Sequence, residues 1–500
     1  MIRIKKKIEE AKFMAANIQT HDRRYISSKE LAAYVLFDSS KSFNIGSYDG
    51  RFFLDVVKID LAWNAAGGIL RSAWDIINDF FAGVLVDKTN TRYGKFKPYL
   101  LAVAIPGTLF ALLKWFTPYF FDDNPQNVGK FIFWLALGMA NELNGTFHDF
   151  AETGFISSMT PNPRDRTRMF TMAEVISALW ESIPQVLMGV IVDLVNHKKI
   201  NISMQSAYVG MGSMCALAAG LCGVLFATVC KERIAQSVER PSVRDGLKTI
   251  LNNRPMLLII LSDLMKVFKL DTGTQNYYID VLGAASISNI ILLPGMPLSL
   301  WSYTFIGKVQ ERFSTKALWI FGDHERDVTS ILVFLFGLIG GRGKGGFYNK
   351  VKYMLPVLMA KDVVYKGTLS IFKIVPRTMQ LEALDYCEWK NGYRTEGTTL
   401  AAKNIVKKLI GATIGPFSSL ILKQIGYSLK AGFGQQSQTT KFYLFALCTL
   451  LPGATGLLGV IPKLFYRMTP AERERMYEEL HTQRAARSEK VLVEGIAAHG

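Results

Sequence analysis

The chain has 500 residues, of which 49% are hydrophobic and 12% aromatic, and its mean hydropathy is +0.18. This composition excludes an ordinary soluble domain of the same size and indicates a helical membrane protein. The formal net charge of +17 comes from short basic clusters between apolar runs, which excludes the continuous basic stripe of a nucleic-acid-binding protein and fits contact with membrane lipid.

The apolar residues fall into about twelve runs, each of the roughly 20 residues that a helix needs to cross a bilayer. Before them, residues 1–29 are charged and lack the apolar core of a cleavable signal peptide, so we expect a retained cytoplasmic segment. The predicted spans are residues 30–57, 61–86, 97–120, 127–155, 169–195 and 205–230, and then 254–281, 286–307, 316–340, 351–384, 396–427 and 440–466.

A charged segment, 231–253, divides these spans into two six-helix halves, 30–230 and 254–466, and has the composition of a cytoplasmic loop. A charged tail, 467–500, follows, and we expect it to be a solvated cytoplasmic helix. Basic clusters after spans two and four place both termini inside, although four basic residues oppose this topology: Lys198, Lys199, Arg342 and Lys344. The pattern predicts an all-α, multi-pass protein of the plasma membrane, which we expect to be a monomer.

Span two contains Trp74-Asp75-Ile-Ile-Asn78-Asp79, which places two carboxylates one turn apart on one helix face. An ionised Asp at the centre of a membrane helix costs about 2.5–3.5 kcal/mol on insertion scales, and two neighbouring ones also repel. A monovalent cation or a shared proton would remove both penalties, and Asn78 would add an oxygen ligand of the kind that hard cations prefer. The alternative is a salt bridge to a basic residue of another helix, such as Lys408.

Three separated stretches resemble the glycoside-pentoside-hexuronide:cation symporter family, the melibiose permease-like branch of the major facilitator superfamily. The first is WDIIND with the following GVLVDKTNTRYGKFKPYLL, residues 74–79 and 83–101. The second is DYCEWKNGYRTEG at 385–397, and the third is Asp149 with Arg164-Asp165-Arg166. The resemblance covers about residues 30–465 and implies a major facilitator fold.

The resemblance implies a sugar or glycoside symporter that works by alternating access, with a sodium ion or proton as coupling ion and no other cofactor. Its cation site would be Asp75, Asn78 and Asp79. Its substrate site would include Asp149, Lys408, Asp38, Lys41 and Thr153. Ion pairs of a cytoplasmic gate would come from Asp87, Arg92, Lys95, Arg164, Arg166 and Arg394.

Several positions depart from the family pattern. Phe80 stands where the family has proline, Thr153 stands where it has a tryptophan that could stack on a sugar ring, and Glu174 stands where it tends to have arginine. Span seven also carries four charged residues: Asp263, Lys266, Lys269 and Asp271. Asp38 and Lys41, three residues apart, could simply neutralise each other. These changes leave the substrate open.

Signals for an enzyme are weak. The glycine-rich run at 340–346 lacks the first glycine and the final Ser or Thr of a phosphate-binding loop, and the five cysteines form no Cys-x-x-Cys pair. Among the histidines, only His148 falls within a span. Two alternatives to a sugar symporter stay open: a transporter of an amphipathic or anionic substrate in the same fold, and a non-transporting membrane receptor.

Overall fold

In a computed structural model, the structure describes residues 24–88, 91, 94–160, 162–233, 251–267, 273–391, 411, 416–469, 471–480 and 482. These residues form helices joined by turns, and within them the only bridge between extended residues is the isolated one from Thr91 to Gly94.

The helices of the first half of the sequence are α1 Ser28–Ser42, α2 Asp49–Phe52, α3 Leu61–Lys88, α4 Lys97–Phe120, α5 Val128–Met159, α6 Pro163–Asn196 and α7 Met204–Val229. Those of the second half are α8 Arg254–Val267, α9 Thr274–Asp280, α10 Ile287–Ile290, α11 Met296–Arg312, α12 Thr315–Gly337, α13 Val351–Gly367, α14 Leu369–Asn391, α15 Phe417–Gln424, α16 Gln438–Cys448, α17 Leu450–Gly456 and α18 Val460–Leu464. Residues 471–480 are also helical.

The chain divides into two compact units. The first comprises residues 1–238, 283–289 and 422–435, and the second comprises 239–282, 290–421 and 436–500. Two short segments from the second half of the sequence, 283–289 and 422–435, therefore belong to the first unit. One of their contacts is a hydrogen bond from Arg51 Nη1 to the hydroxyl of Tyr427 at 3.0 Å.

The first unit is built around α1, α4, α5, α6 and α7. Helix α1 begins with a capping box, in which Ser27 and Glu30 satisfy each other's backbone N–H groups. Behind it, the Phe37 ring stacks on the Phe226 ring with centroids 4.4 Å apart, and Phe155 meets Phe226 edge-on at 5.2 Å. This aromatic cluster fixes the buried side of α1, so that its polar residues face α5 and α6.

Several predicted spans are divided in the structure, among them span twelve, which consists of α16, α17 and α18. Span one ends as α1 at Ser42, and helical structure resumes only after a 3₁₀ turn, Gly46–Tyr48. Span eight consists of the short α10 and the longer α11. Span ten breaks between α13 and α14 at Thr368, whose N–H bonds to the carbonyls of Val364 and Tyr365, both at 3.2 Å. Most of span eleven lies outside the described residues.

Four helical stretches of the described residues are long and apolar enough to cross a membrane by composition alone: Lys97–Phe120, Arg168–Asn196, Met204–Val229 and Gln438–Leu464. The other predicted spans either carry several charged residues or are divided. A transport protein needs such polar helices, because a helix that lines an aqueous path cannot be apolar on every side.

The second unit has an unusually polar interior around α12. The ammonium of Lys463 lies 2.5 Å from a carboxylate oxygen of Asp323, and the two side chains are 0% and 1% exposed. One turn further, His324 Nδ1 lies 2.9 Å from Asp327 Oδ2. Gly456 of α17 packs directly on Asp327, since a Cβ there would lie 2.4 Å from the carboxylate atoms. A carboxylate of α12 therefore packs directly against the backbone of α17.

The helix at 471–480 is exposed on one side and packs its other side on the rest of the second unit, and the expected solvated cytoplasmic tail stays a prediction. Met476 and Leu480 are buried, and Arg473 forms an ion pair with the buried Glu382 of α14. The sequence showed the charges of this helix, but it did not show that two of its apolar residues face a partner helix.

A second contact of the tail helix involves Glu479. Its carboxylate accepts hydrogen bonds from Arg475 Nε at 2.7 Å and from the indole N–H of Trp389 at 2.6 Å. These bonds, the one from Arg475 first, lower the pKa of the Glu479 carboxyl below its ordinary value. Ionised Glu479 therefore favours the docked tail.

Candidate functional site

The predicted cation site lies where α3 packs against α5. The amide of Asn78 donates from Nδ2 to Thr146 Oγ1 at 3.0 Å, and the Thr146 hydroxyl donates to Asp79 Oδ1 at 3.2 Å. Asn78 is 2% exposed, whereas Asp79 and Asp75, one turn earlier, are partly buried. The structure thus brings Asn78 and Asp79 together with a residue that the sequence analysis missed, Thr146.

Local packing holds α3 in register with α5. The indole N–H of Trp74 donates to the Met139 carbonyl at 2.9 Å, and the Trp63 ring contacts the Phe131 ring with centroids 5.6 Å apart. Because these contacts lie about two turns apart along α5 on the way to Thr146, they fix the position of Thr146 along the helix against Asp79. Thr146 is not distinguishable in the sequence, since a hydroxyl in a long apolar helix also occurs as a packing residue bonded to its own helix.

The oxygen atoms at this interface suit a small monovalent cation. The two that these contacts join are the Asp79 carboxylate and the Thr146 hydroxyl, both hard ligands, and the amide of Asn78 carries a third oxygen on the same side chain that contacts Thr146. The same carboxylate could instead hold a proton and donate it to the hydroxyl. Such oxygen ligands suit a hard cation or a proton better than a soft transition metal, and the cation site itself stays a prediction.

A second polar cluster lies between α1, α5 and α6. Lys41 Nζ lies 2.8 Å from Asp38 Oδ1 and 2.6 Å from Glu152 Oε1. The Ser177 hydroxyl of α6 donates to Asp38 Oδ2 at 3.3 Å. Asp38 and Lys41 therefore neutralise each other in part, as one reading of their spacing suggested. Glu152, which is 14% exposed, is the second partner of Lys41 and was not identified from the sequence.

Asp149 lies at the exposed edge of this cluster. Its side chain is 85% exposed, and its carboxylate lies 3.6 Å from His148 Nδ1. Ligand atoms of His148, Asp149 and Glu152 lie within 4.8 Å of one another, which is close enough for a metal ion, although Lys41 already binds Glu152. Thr153 is exposed beside them. The predicted substrate residues of the first unit are thus neighbours, and their role stays a prediction.

Most predicted gate residues cannot be placed. Arg92, Arg394 and the predicted substrate residue Lys408 lie outside the described residues, as do three gate side chains on described helices: Asp87, Arg164 and Arg166. Lys95 is described, and its ammonium lies 5.4 Å from the centroid of the Phe96 ring. The ion pairs of the gate therefore stay a prediction.

In the first unit, the Gly94 region of the first family motif lies at the beginning of α4, beside the Glu232 carboxylate. The Glu232 carboxylate accepts the backbone N–H groups of Lys95, Phe96 and Lys97 at 2.7–2.9 Å, where α4 begins. Gly94 has a φ of +109°, and a Cβ there would lie 2.5 Å from the Glu232 carboxylate. This glycine is required by both its conformation and its neighbour. An anion at a helix N-terminus is also electrostatically favourable.

Glu232 was missed because its segment, 231–253, was treated as a loop between halves. The next residue, Arg233, binds Glu30 of α1 with two hydrogen bonds of 2.7 and 2.8 Å. Glu232 and Arg233 therefore join the end of α7 to the beginnings of α4 and α1. The signal was a Lys-Glu-Arg triplet directly after an apolar helix, which predicts a charged boundary but does not identify its partners.

Comparison with known proteins identifies the family. The family model described as MFS/sugar transport protein matches residues 29–470. The chain is 25% identical to the uncharacterized symporter YjmB of Bacillus subtilis (strain 168), over 93% of this chain and 97% of that protein. It is 24% identical to the putative glycoside/cation symporter YagG of Escherichia coli (strain K12), over 88% and 91%.

Among solved structures, a D-xylose–proton symporter resembles the chain with a TM-score of 0.54, at 12% identity, over 88% of this chain and 97% of that one. This likeness shows the major facilitator fold and confirms the predicted fold class. The family match confirms the resemblance that the three motifs indicated. The chain belongs to the MFS/sugar transport family: it is an integral membrane protein and a secondary transporter of sugar-like substrates, and it is not an enzyme.

Proposed function

We propose that the protein is a cation:glycoside symporter in which Asp79, with Asn78 and Thr146, binds the coupling ion, sodium or a proton, and Asp75 contributes its charge one turn away. The observation that carries this proposal is the Asn78–Thr146–Asp79 contact between α3 and α5. A carboxylate in a membrane helix costs about 2.5–3.5 kcal/mol when ionised, and a bound cation or proton offsets that cost.

Coupling follows from how the ion affects the α3–α5 interface. Without the ion, the Asp75 and Asp79 charges repel, which weakens the packing that positions Thr146 and the rest of α5. With the ion bound, α5 is held, and with it Glu152, Lys41 and the substrate cluster. Substrate then binds the ion-loaded state more tightly, and this difference in affinity drives accumulation.

The Lys41 cluster supports a neutral polyhydroxylated substrate over an anionic one. The charge of Lys41 is already matched by two carboxylates at 2.6 and 2.8 Å, and His148 and the exposed Asp149 lie beside them. Among the described residues, this cluster offers several hydrogen-bond acceptors to sugar hydroxyls, and its one lysine is already matched by carboxylates. We place the protein in the plasma membrane as a monomer, with both termini cytoplasmic.

The test is uptake into proteoliposomes that contain the purified protein, with sodium or proton gradients imposed separately. A panel of a pentoside, a hexoside, a disaccharide and a glucuronide separates substrate classes. We expect a gradient of one cation to drive accumulation of a neutral glycoside well above the level without a gradient. If neither gradient stimulates uptake of any glycoside, the proposal is wrong.

A further inference from the structure

A pocket in the second unit has two exposed arginines that form no ion pair with any carboxylate of the described residues. Its cavity volume is about 90 Å³, and it lies where α8 begins, α14 ends and the chain leaves α18 for the tail helix. The residues that matter for its chemistry are Arg254, Tyr386, Tyr466, Arg467 and Glu472. They come from three separate stretches of the sequence, which the fold brings to one point.

The two arginines of the pocket differ from the arginines nearby. Arg473 is paired with Glu382, and Arg475 with Glu479. By contrast, within the part of the chain that the structure describes, no carboxylate lies within salt-bridge distance of Arg254 or Arg467. Glu472 lines the same pocket but forms an ion pair with neither. Counted over the residues that the structure describes, the pocket lining therefore has two guanidinium groups and one carboxylate.

The hydroxyl of Tyr466 provides an independent sign of a ligand. The Tyr466 side chain is 2% exposed, and among the described residues its hydroxyl has no hydrogen-bond partner. A buried polar group left without a partner costs about 1–3 kcal/mol, so such groups usually face a water or a ligand. Tyr466 lines the pocket, and its hydroxyl can donate a hydrogen bond to a ligand oxygen there.

The N-terminus of α8 also favours an anionic ligand in this pocket. This helix has 14 residues, and its N-terminal end carries Arg254 at the pocket wall. The positive end of a helix dipole favours an anion, and an arginine can bind two oxygens of one phosphate at once. Asn253 already accepts the N–H of Met256, so the pocket relies on side chains and the dipole more than on free backbone groups.

We propose that this pocket binds a phosphate-bearing anion, held by Arg254, Arg467 and the hydroxyl of Tyr466. The ligand would join α8 and α14 to the segment that leads into the tail helix, and so hold the tail in its docked position. This role is separate from ion coupling at Asp79, and the proposal does not depend on it. The phosphate could belong to a lipid headgroup or to a soluble molecule, because both present the same oxygens.

The experiment uses the purified full-length protein in detergent and has two arms. One arm measures inorganic phosphate binding by calorimetry, and the other measures phosphatidylglycerol retained on the protein by native mass spectrometry. The variant Arg254→Gln/Arg467→Gln is compared with Arg312→Gln, an exposed arginine at the end of α11 that does not line the pocket. We expect the double variant to lose at least tenfold in affinity in one arm, and Arg312→Gln to match wild type.

If the double variant loses affinity only for phosphatidylglycerol, the ligand is a lipid headgroup. If it loses affinity for inorganic phosphate, the ligand is a soluble phosphate. Wild-type protein that binds neither, or a double variant that binds as wild type does, overturns the proposal. Because the double variant could misfold, Tyr466→Phe gives a second test. It should keep its unfolding temperature without ligand and show a several-fold weaker response to the ligand, whereas an unchanged response in both arms also overturns the proposal.

Discussion

Removal of the Thr146 hydroxyl tests the geometry of the cation site. Thr146→Val keeps the shape of the side chain but removes the oxygen that lies 3.0 Å from Asn78 Nδ2 and 3.2 Å from Asp79 Oδ1. A lost hydrogen bond that leaves buried partners unsatisfied costs about 1–3 kcal/mol. We therefore expect the cation concentration for half-maximal uptake to rise about 5- to 150-fold.

The assay is initial-rate uptake of a driving glycoside in proteoliposomes, with the cation concentration varied. Thr146→Ser is the matched control, because it keeps the hydroxyl and loses only a methyl group, and it should stay within a few-fold of wild type. Counterflow without a gradient reports whether each variant still binds and moves substrate. If Thr146→Val requires the same cation concentration as wild type, the hydroxyl is not part of the site, and the reasoning is refuted.

Three further predictions concern the second unit and its tail. Lys463→Met should destabilise the protein by about 3–5 kcal/mol, because it leaves the buried Asp323 carboxylate without this cation. Thermal unfolding in detergent measures the loss of stability. Gly456→Ala should cost about 1–3 kcal/mol by the same measurement, since the added methyl meets a carboxylate of α12, whereas Gly307→Ala faces open space and should be neutral. The pKa of Glu479 is lowered, so its contribution to tail docking is complete above its ordinary value of 4.5 and is lost as the pH falls through the lowered value.

The controls for these predictions follow from the structure. Replacing Lys463 and Asp323 together by apolar residues should recover much of the stability lost in Lys463→Met. Tail docking can be followed by the fluorescence of Trp389, taken as the difference between wild type and Trp389→Phe. An acid transition that persists unchanged in Glu479→Gln would contradict the assignment to this carboxyl.

The sequence predicted best those helices whose ends are marked by charge and whose faces are all apolar. Span three, at 97–120, coincides with α4, because Lys97 and Pro98 begin it and the polar residues after Phe120 end it. Division of a span was harder to predict. The break at Thr368 is marked only by the single Gly367 before it, and a lone glycine in an otherwise helical pattern does not by itself predict a helix end.

The site residues were likewise predictable only where one segment of the sequence showed their importance. Asp79 and Asn78 were identifiable because charge and amide groups are costly in a membrane helix and demand an explanation. Thr146 and Glu152 were not, because their importance comes from what another helix places opposite them: Asp79 in one case and Lys41 in the other. Pairing between distant segments is a tertiary property, and one sequence alone does not encode it in a readable pattern.

The central claim, that ion binding at Asp79 drives substrate accumulation, is tested most directly by Asp79→Asn. Substrate accumulation is measured under an imposed cation gradient, and the counterflow rate is measured in the same proteoliposomes without a gradient. The ratio of the two separates coupling from substrate binding and movement. Asp123→Asn, which removes a carboxylate that is 81% exposed, serves as the control. The account predicts that Asp79→Asn retains counterflow and loses gradient-driven accumulation, while Asp123→Asn keeps both. Wild-type accumulation in Asp79→Asn would contradict it.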